Sequence, residues 1–557
     1  MVRRIINFFG REIRGLHEAA YLLGAFAIFS QLLALVRDRL FASSFGAGEL
    51  LDIYYAAFRI PDLVFVIVSA LVSISVLIPF LVKIFSKDSA DSEKEIEKKK
   101  FVDSIFSSLL IILVLLSGLV FIFADKLLAL IFPEIISPDL VLITRILLLQ
   151  PILLSLSSFY ASFIQVYRKF FIYALGPLFY NLGIIFGVLF LYEPYGLPGL
   201  TFGVVIGALL HLAIQIPFVR SHGIKPKFTF NINPQIIKNV LKLSIPRTVA
   251  LAGNQISLIV LLALAGVMVT GSISIFTFSF NLQSVPLSIV GVSYSLAAFP
   301  TLSRLFSKGD IETFLLHIVK AARHIIFWSI PISVMFVVLR AQIVRTILGA
   351  GEFSWDDTRL TAAALAIFSI SVVAQGLILL FVRGYYSAGE TKKPLIFTLI
   401  SIVVTIISAY GLSYYFNANV FFRDFFEELF RVGGLKGTAI LMLPLAYSIG
   451  QIANAILLWV SFSKKYKCFD GELWETIFHL TGASLIAGYV TFGALRVLDD
   501  VFDLDTLIGI FSQGFIAGIA GIAVGATVLV ILGNQEIRTV WKTLHKKIWK
   551  SKFVGGE

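Results

Sequence analysis

The stretch LLALVRDRLFASSFGAGELLDIYYAAFRIPDL, Leu32 to Leu63, joins two apolar runs through a short Ser/Gly-bearing joint. Both runs carry charge: Arg37, Asp38 and Arg39 in the first, Asp52, Arg59 and Asp62 in the second. Outward from it, apolar segments of about 20 residues recur along nearly the whole chain, each long enough to cross roughly 30 Å of hydrocarbon as a helix. The 557 residues are 58% hydrophobic and 14% charged, with a mean hydropathy of +0.91. No water-soluble domain could carry that surface without aggregating. Strands of a membrane barrel would alternate apolar and polar residues over about ten positions. That alternation is absent, so the chain reads as an all-α polytopic membrane protein.

Charged and Pro/Gly-rich joints divide it into about 14 transmembrane helices. The first six lie near 20–46, 50–85, 101–124, 138–166, 171–192 and 197–219, and the next six near 235–267, 271–305, 312–348, 358–387, 394–416 and 437–463. A last pair follows near 473–497 and 507–533. The segment IPFLVKIFSKD at 78–88 echoes FPTLSRLFSKG at 299–309, each at the end of an even-numbered helix. Such repeats run parallel, related by an axis along the membrane normal, and a substrate path is expected between two six-helix lobes. The expected organisation is a basic segment over 1–19, lobes over 20–222 and 223–467, a helix pair over 468–535 and a basic tail over 536–557.

Charge assigns the sides, because short cytoplasmic loops carry excess Lys and Arg. Joints after even-numbered helices hold Lys98, Lys99 and Lys100, then Arg168 and Lys169, Arg304 and Lys308, Lys392 and Lys393, and Lys464 and Lys465. The opposite joints hold Glu352, Asp356, Asp357, Asp424, Glu427, Glu428 and the run Asp499 to Asp505. Both termini are therefore expected in the cytoplasm. The net charge of +12 follows from this topology and from attraction to anionic membrane lipids, and needs no nucleic-acid partner. Ile5 to His17 reads as a basic amphipathic helix on the membrane surface, or equally as a solvated tail.

Ionised side chains at membrane depth are expensive unless paired or hydrated, so they mark a pathway. Arg37, Asp38, Asp52 and Arg59 are the candidate substrate-binding residues of the first lobe, with Asp52 and Arg59 on one helical face and Pro61 able to kink the helix beside them. The alternative is a buried network in which Arg37 and Asp38 pair with Arg59 and Asp62. In the second lobe, helix eight offers only Asn281, Gln283 and Ser284, which can hydrogen-bond a sugar, a peptide or a neighbouring helix.

Other polar positions, among them Asn181 and His211, have packing as their default. His211 and His479 lack partners at ligand spacing and Cys468 stands alone, so no metal site and no cofactor are expected. An Asp-x-Asp within Asp499–Asp505 is the one enzyme-like pattern, and an acidic loop explains it. Glycines 514, 518, 521 and 525 form a smooth face for a helix or a lipid chain. The stretch 417–435 reads as a short amphipathic surface helix.

VRDRLFASSFGAGELLDIYYAAFRIPDL, VPLSIVGVSYSLAAFPTLSRLFSKGD, ILGAGEFSWDDT and RGYYSAGETKKP together resemble the lipid II flippases of the MurJ (MviN) family, within the multidrug/oligosaccharidyl-lipid/polysaccharide exporter superfamily. The resemblance implies two lobes with a final helix pair whose groove receives a polyprenyl tail. It also implies a transporter rather than an enzyme, in the bacterial cytoplasmic membrane, acting on a polyprenyl-pyrophosphate-linked saccharide. Arg37, Asp38 and Asp52 match positions of the family's charged cavity. The chain departs from it at Gln31, Phe65, Asn281 and Ser284, where the family often carries charge. Leu261, Thr405 and Ser408 leave open whether an ion gradient or the membrane potential drives it. Another polyprenyl-linked glycan, an exported amphiphile, or a non-transporting scaffold for cell-wall synthesis are the alternatives.

Overall fold

The computed structural model describes residues 16–71, 92–167, 169–466, 471–534 and 536–538. The first half of the internal echo, Cys468, Arg168, nearly all of the amino-terminal basic segment and the basic tail lie outside the described residues. Among those described, every regular element is a helix.

Among the described residues, eleven helices are long and apolar enough to cross a membrane, or twelve if Trp355–Ser369 and Val372–Ser387, bent by 43°, form one span. This is a multi-pass membrane protein, although the tally falls short of the expected fourteen. The two expected helices outside the tally are the first two. They are present as α1 (Leu16–Phe45) and as the pair α2 (Glu49–Ala57) and α3 (Arg59–Leu71), with 72–91 outside the described residues.

The break at Phe58 follows from Pro61, which has no N–H to offer the carbonyl of Ala57. The ladder resumes with Asp62 N–H donating to Phe58 O at 2.8 Å. The fourth expected helix is divided similarly, into α5 (Pro138–Leu147) and α6 (Leu149–Val166), after the long α4 (Ser92–Ile131).

The chain divides into two compact units, one of Met1–Thr277 with Gly351–Phe353, the other of Phe278–Ala350 with Ser354–Glu557. In the first, α7 (Phe170–Phe186) lies against α8 (Leu197–Ala213) through glycines. A Cβ on Gly203 would sit 2.5 Å from Gly187 Cα, and one on Gly207 the same distance from Tyr180 O. Backbones this close give α7 a fixed position, and α1 packs along it, with Phe26 edge-on to Phe171 at 5.1 Å. Gly207→Ala is therefore expected to lower stability by about 1–3 kcal/mol, the usual cost of overpacking, read as a lower melting temperature in detergent. The first unit also contains α9 (Pro234–Gly266) and the start of α10 (Ser272–Pro286).

The second unit holds α11 (Ser293–Ser307), α12 (Ile311–Val338), α13 (Arg340–Ile347), α14 (Trp355–Ser369) and α15 (Val372–Ser387). α16 (Lys392–Ala418), α17 (Val420–Phe430), α18 (Met442–Tyr466), α19 (Gly471–Leu498) and α20 (Leu507–Ile531) follow. Its core centres on Phe314, Ile318, Ile325, Phe381, Tyr385 and Phe462. The α20 glycines serve helix packing: a Cβ on Gly525 would meet Ala487 Cβ of α19 at 2.9 Å, and one on Gly514 would meet Gln342 Cβ of α13 at 3.0 Å. The stretch expected as a surface helix is α17. Asn419 caps its start by accepting from Phe422 N–H at 3.0 Å, and Phe421 and Phe425 are exposed.

Candidate functional site

Arg37 and Asp38, neighbours on α1, pair with one another. Arg37 Nε and Nη2 both donate to Asp38 Oδ1, at 2.9 and 2.7 Å. Nη1 donates to Oδ1 of Asn181 on α7 at 3.1 Å. Asn181 is itself oriented by its Nδ2 donating to Pro177 O at 3.1 Å. The α7–α8 glycine contact that places α7 against its neighbour thus also places the amide that steers Arg37. Tyr54, Tyr55 and Tyr180 lie close around the pair.

The Asp38 side chain is 2% exposed and that of Arg37 19%. Of the five N–H donors of a guanidinium, three are engaged among the described residues. A buried carboxylate that fixes a partly open cation in one orientation is suited to phosphate or carboxylate recognition.

Asp52 does something different. Its carboxylate accepts from Gly271 N–H at 2.6 Å, Ser274 N–H at 2.8 Å and Ser274 Oγ at 2.6 Å. These are the donors left open at the start of α10, so Asp52 on α2 caps a helix more than 200 residues away. Gly271, with φ +92°, takes a conformation favourable only to glycine.

Arg59 is bound locally, Nε donating to Tyr55 O at 3.0 Å, one of the carbonyls exposed by the break before Pro61. Although the two share a helical face in the sequence, Asp52 and Arg59 are engaged with different partners. Asp62 accepts from Gln150 Nε2 on α6 at 3.4 Å. The alternative expected from the sequence, Arg37 and Asp38 paired with Arg59 and Asp62, is not the arrangement found.

The three helix-eight candidates form no charged counterpart. Gln283 is buried and accepts from Gln375 Nε2 of α15 at 3.1 Å. Gln375 also donates to Ser371 Oγ at 3.0 Å, and Ser448 of α18 reaches Ser371 Oγ at 3.3 Å. Ser284 Oγ donates to Asn281 O, 2.7 Å away. The second unit therefore has a neutral, mutually satisfied polar seam.

His211 sits 2.6 Å from Ser157 Oγ, which also accepts from Gln215 at 2.7 Å. Among the described residues no group of three His, Cys, Asp or Glu side chains is arranged to hold a metal. In the acidic loop, Asp503 accepts from Asp505 N–H at 2.9 Å, and Asp499 from Gln513 at 2.5 Å.

Sequence reasoning left Asn181, Ser274 and Gln375 out of the site. Asn181 had one signal, an amide four residues after a proline in an otherwise apolar helix. Ser274 and Gln375 had none, because their partners are distant in sequence.

Residues 41–511 match the profile of a family described as "Lipid II flippase MurJ". The chain is 28% identical over 398 residues to a probable lipid II flippase MurJ of Buchnera aphidicola, covering 70% of this chain and 77% of that protein. To a lipid II flippase MurJ of Burkholderia cenocepacia it is 23% identical over 483 residues, 85% of this chain and 88% of that one. A solved structure of lipid II flippase MurJ in an inward closed conformation superposes with a TM-score of 0.72, at 23% identity, over 92% of this chain and 99% of that chain, so the fold is shared. On a profile match that takes in α2 through the start of α20, this chain belongs to the lipid II flippase MurJ family.

Proposed function

We propose that this protein is a flippase that carries lipid II, a polyprenyl-pyrophosphate-linked saccharide, from the cytoplasmic to the outer leaflet of the bacterial cytoplasmic membrane. The observation that carries the reading is the Arg37–Asp38–Asn181 cluster, a fixed, partly open cation inside an apolar helical unit. A charged, sugar-bearing head group cannot cross hydrocarbon unaided. Alternating exposure of a polar cluster to the two leaflets avoids that penalty. Arg37 engages the pyrophosphate, and Asp38 and Asn181 orient Arg37; Gln283 and Ser284, bonded to Gln375 and to Asn281 O, serve packing of the second unit. Both termini lie in the cytoplasm, the chain needs no cofactor, and an ion gradient or the membrane potential supplies the drive.

The test is reconstitution of the full chain in vesicles, with protection of head-group-labelled lipid II from an external quencher as readout. Lipid II is expected to exchange leaflets well above protein-free vesicles. Flipping of another polyprenyl-linked glycan but not of lipid II would replace the substrate. No flipping of any such lipid would leave a membrane scaffold.

A further inference from the structure

The second unit contains a groove of about 1160 Å³ whose lining includes none of Arg37, Asp38, Asn181, Asp52, Arg59, Asn281, Gln283 and Ser284. This exceeds the roughly 300–1,000 Å³ of ordinary small-molecule pockets. One wall is apolar: Val334 and Val337 of α12, Ile370, and Leu485 and Phe492 of α19. Ile370 is 54% exposed and Leu485 61%, so this wall opens to the surface.

Four arginines also line the groove: Arg340 at the start of α13, Arg359 of α14, Arg431 just after α17 and Arg496 in the last turn of α19. Arg431 takes a left-handed backbone, φ 58°, which ends α17 and sets this residue at the groove. Arg359 Nε and Nη2 donate to Arg431 O at 3.1 and 2.6 Å, fixing two of the four together. Arg340 and Arg431 are close enough for their charges to oppose each other. Arg496 stands over the Phe492 ring at 4.7 Å.

Among the described residues none of these four makes an ion pair. One acid lines the groove, Asp499, which accepts from Gln513 and carries a single negative charge against the four arginines. Guanidinium groups lining one groove, three of them linked through Arg431, repel one another unless an anion compensates them. Guanidinium forks match phosphate oxygens. An ion with no apolar part would leave the exposed wall uncovered, whereas a lipid satisfies both the charges and the apolar wall at once.

We propose that this groove holds an anionic phospholipid of the leaflet nearest these arginines, the outer one by the charge of the joints. Its phosphate lies among Arg340, Arg359, Arg431 and Arg496, and an acyl chain runs along α12 and α19. The lipid is a resident of the second unit, separate from the transported substrate, and bridges α13, α14, α17 and α19.

The full chain in detergent, stripped of lipid, is titrated with phosphatidylglycerol, phosphatidylcholine and a polyprenyl monophosphate, and binding is read by native mass spectrometry. Phosphatidylglycerol is expected to bind and phosphatidylcholine not. Arg340→Gln and Arg496→Gln are each expected to weaken phosphatidylglycerol about fivefold, equivalent to roughly 1 kcal/mol per arginine near a membrane surface. Val337→Trp, which fills the apolar wall, is expected to abolish it.

The melting temperature of each lipid-free variant checks its fold. Arg496 is exposed, so its variant remains testable if the others fail. Equal binding of phosphatidylcholine, unchanged affinity in Arg496→Gln, or binding of the polyprenyl monophosphate alone would each overturn the proposal. Because the readout is binding, it stands or falls independently of lipid II transport.

Discussion

Arg37→Ala is expected to abolish transport in the vesicle assay, to less than a tenth of the wild-type rate, and Arg37→Lys to leave only a small residue. Among the described residues the guanidinium makes three directed hydrogen bonds, two to Asp38 and one to Asn181, and the proposed function assigns its other donors to a phosphate group. Lysine supplies charge without the fork, so it cannot both hold Asp38 and present a fixed pair of donors.

Removing Arg37 also takes two hydrogen bonds and an adjacent cation from the buried Asp38 carboxylate, and breaking a buried pair costs up to about 3–5 kcal/mol. Loss of protein could therefore be mistaken for loss of function. The double variant Arg37→Ala with Asp38→Asn separates them, since it removes both charges. It should recover abundance and melting temperature but not transport. Transport at the wild-type rate by the double variant would show that the cluster does not bind the head group.

Asp52→Ala is the second large effect, and it falls on assembly before transport. The substitution strips an acceptor from the Gly271 and Ser274 amides and from the Ser274 hydroxyl, all buried. A buried donor left unsatisfied costs about 1–3 kcal/mol. The loss is expected as a melting temperature well below wild type in detergent. Asp52→Asn should fall between the two. Its amide oxygen can keep the bonds to Ser274, while its NH2 meets the Gly271 N–H donor to donor. Equal melting of all three proteins would mean that the cap does not hold the start of α10.

Much of this molecule could be read directly from its residues. Helical class and most helix positions follow from apolar runs between charged joints, because a backbone crossing hydrocarbon must satisfy its own hydrogen bonds and only long apolar helices do so here. The Pro61 break is local too, since a missing N–H acts within one turn. Arg37 and Asp38 stand out because ionised residues in an apolar run require an explanation. The division of labour among the charges was not legible in the same way. Asp52 and Arg59 share a face of the α2–α3 segment, which suggested a pair, yet one caps α10 and the other caps α2.

The sequence by itself determined the all-helical membrane class, which depends on local composition and spacing; its motifs carried the resemblance to the family, and Arg37 and Asp38 stood out as charges in an apolar run. Only the tertiary structure decided what each charge does. Asn181 meets Arg37 because close glycine contacts fix α7 against α8. Asp52 becomes a cap because Gly271 and Ser274 arrive from more than 200 residues away. Four arginines drawn from four separate stretches become one groove. Hydrogen bonds and charge fields act over a few ångströms of space, and linear spacing does not record which distant residues the packed helices bring within that range.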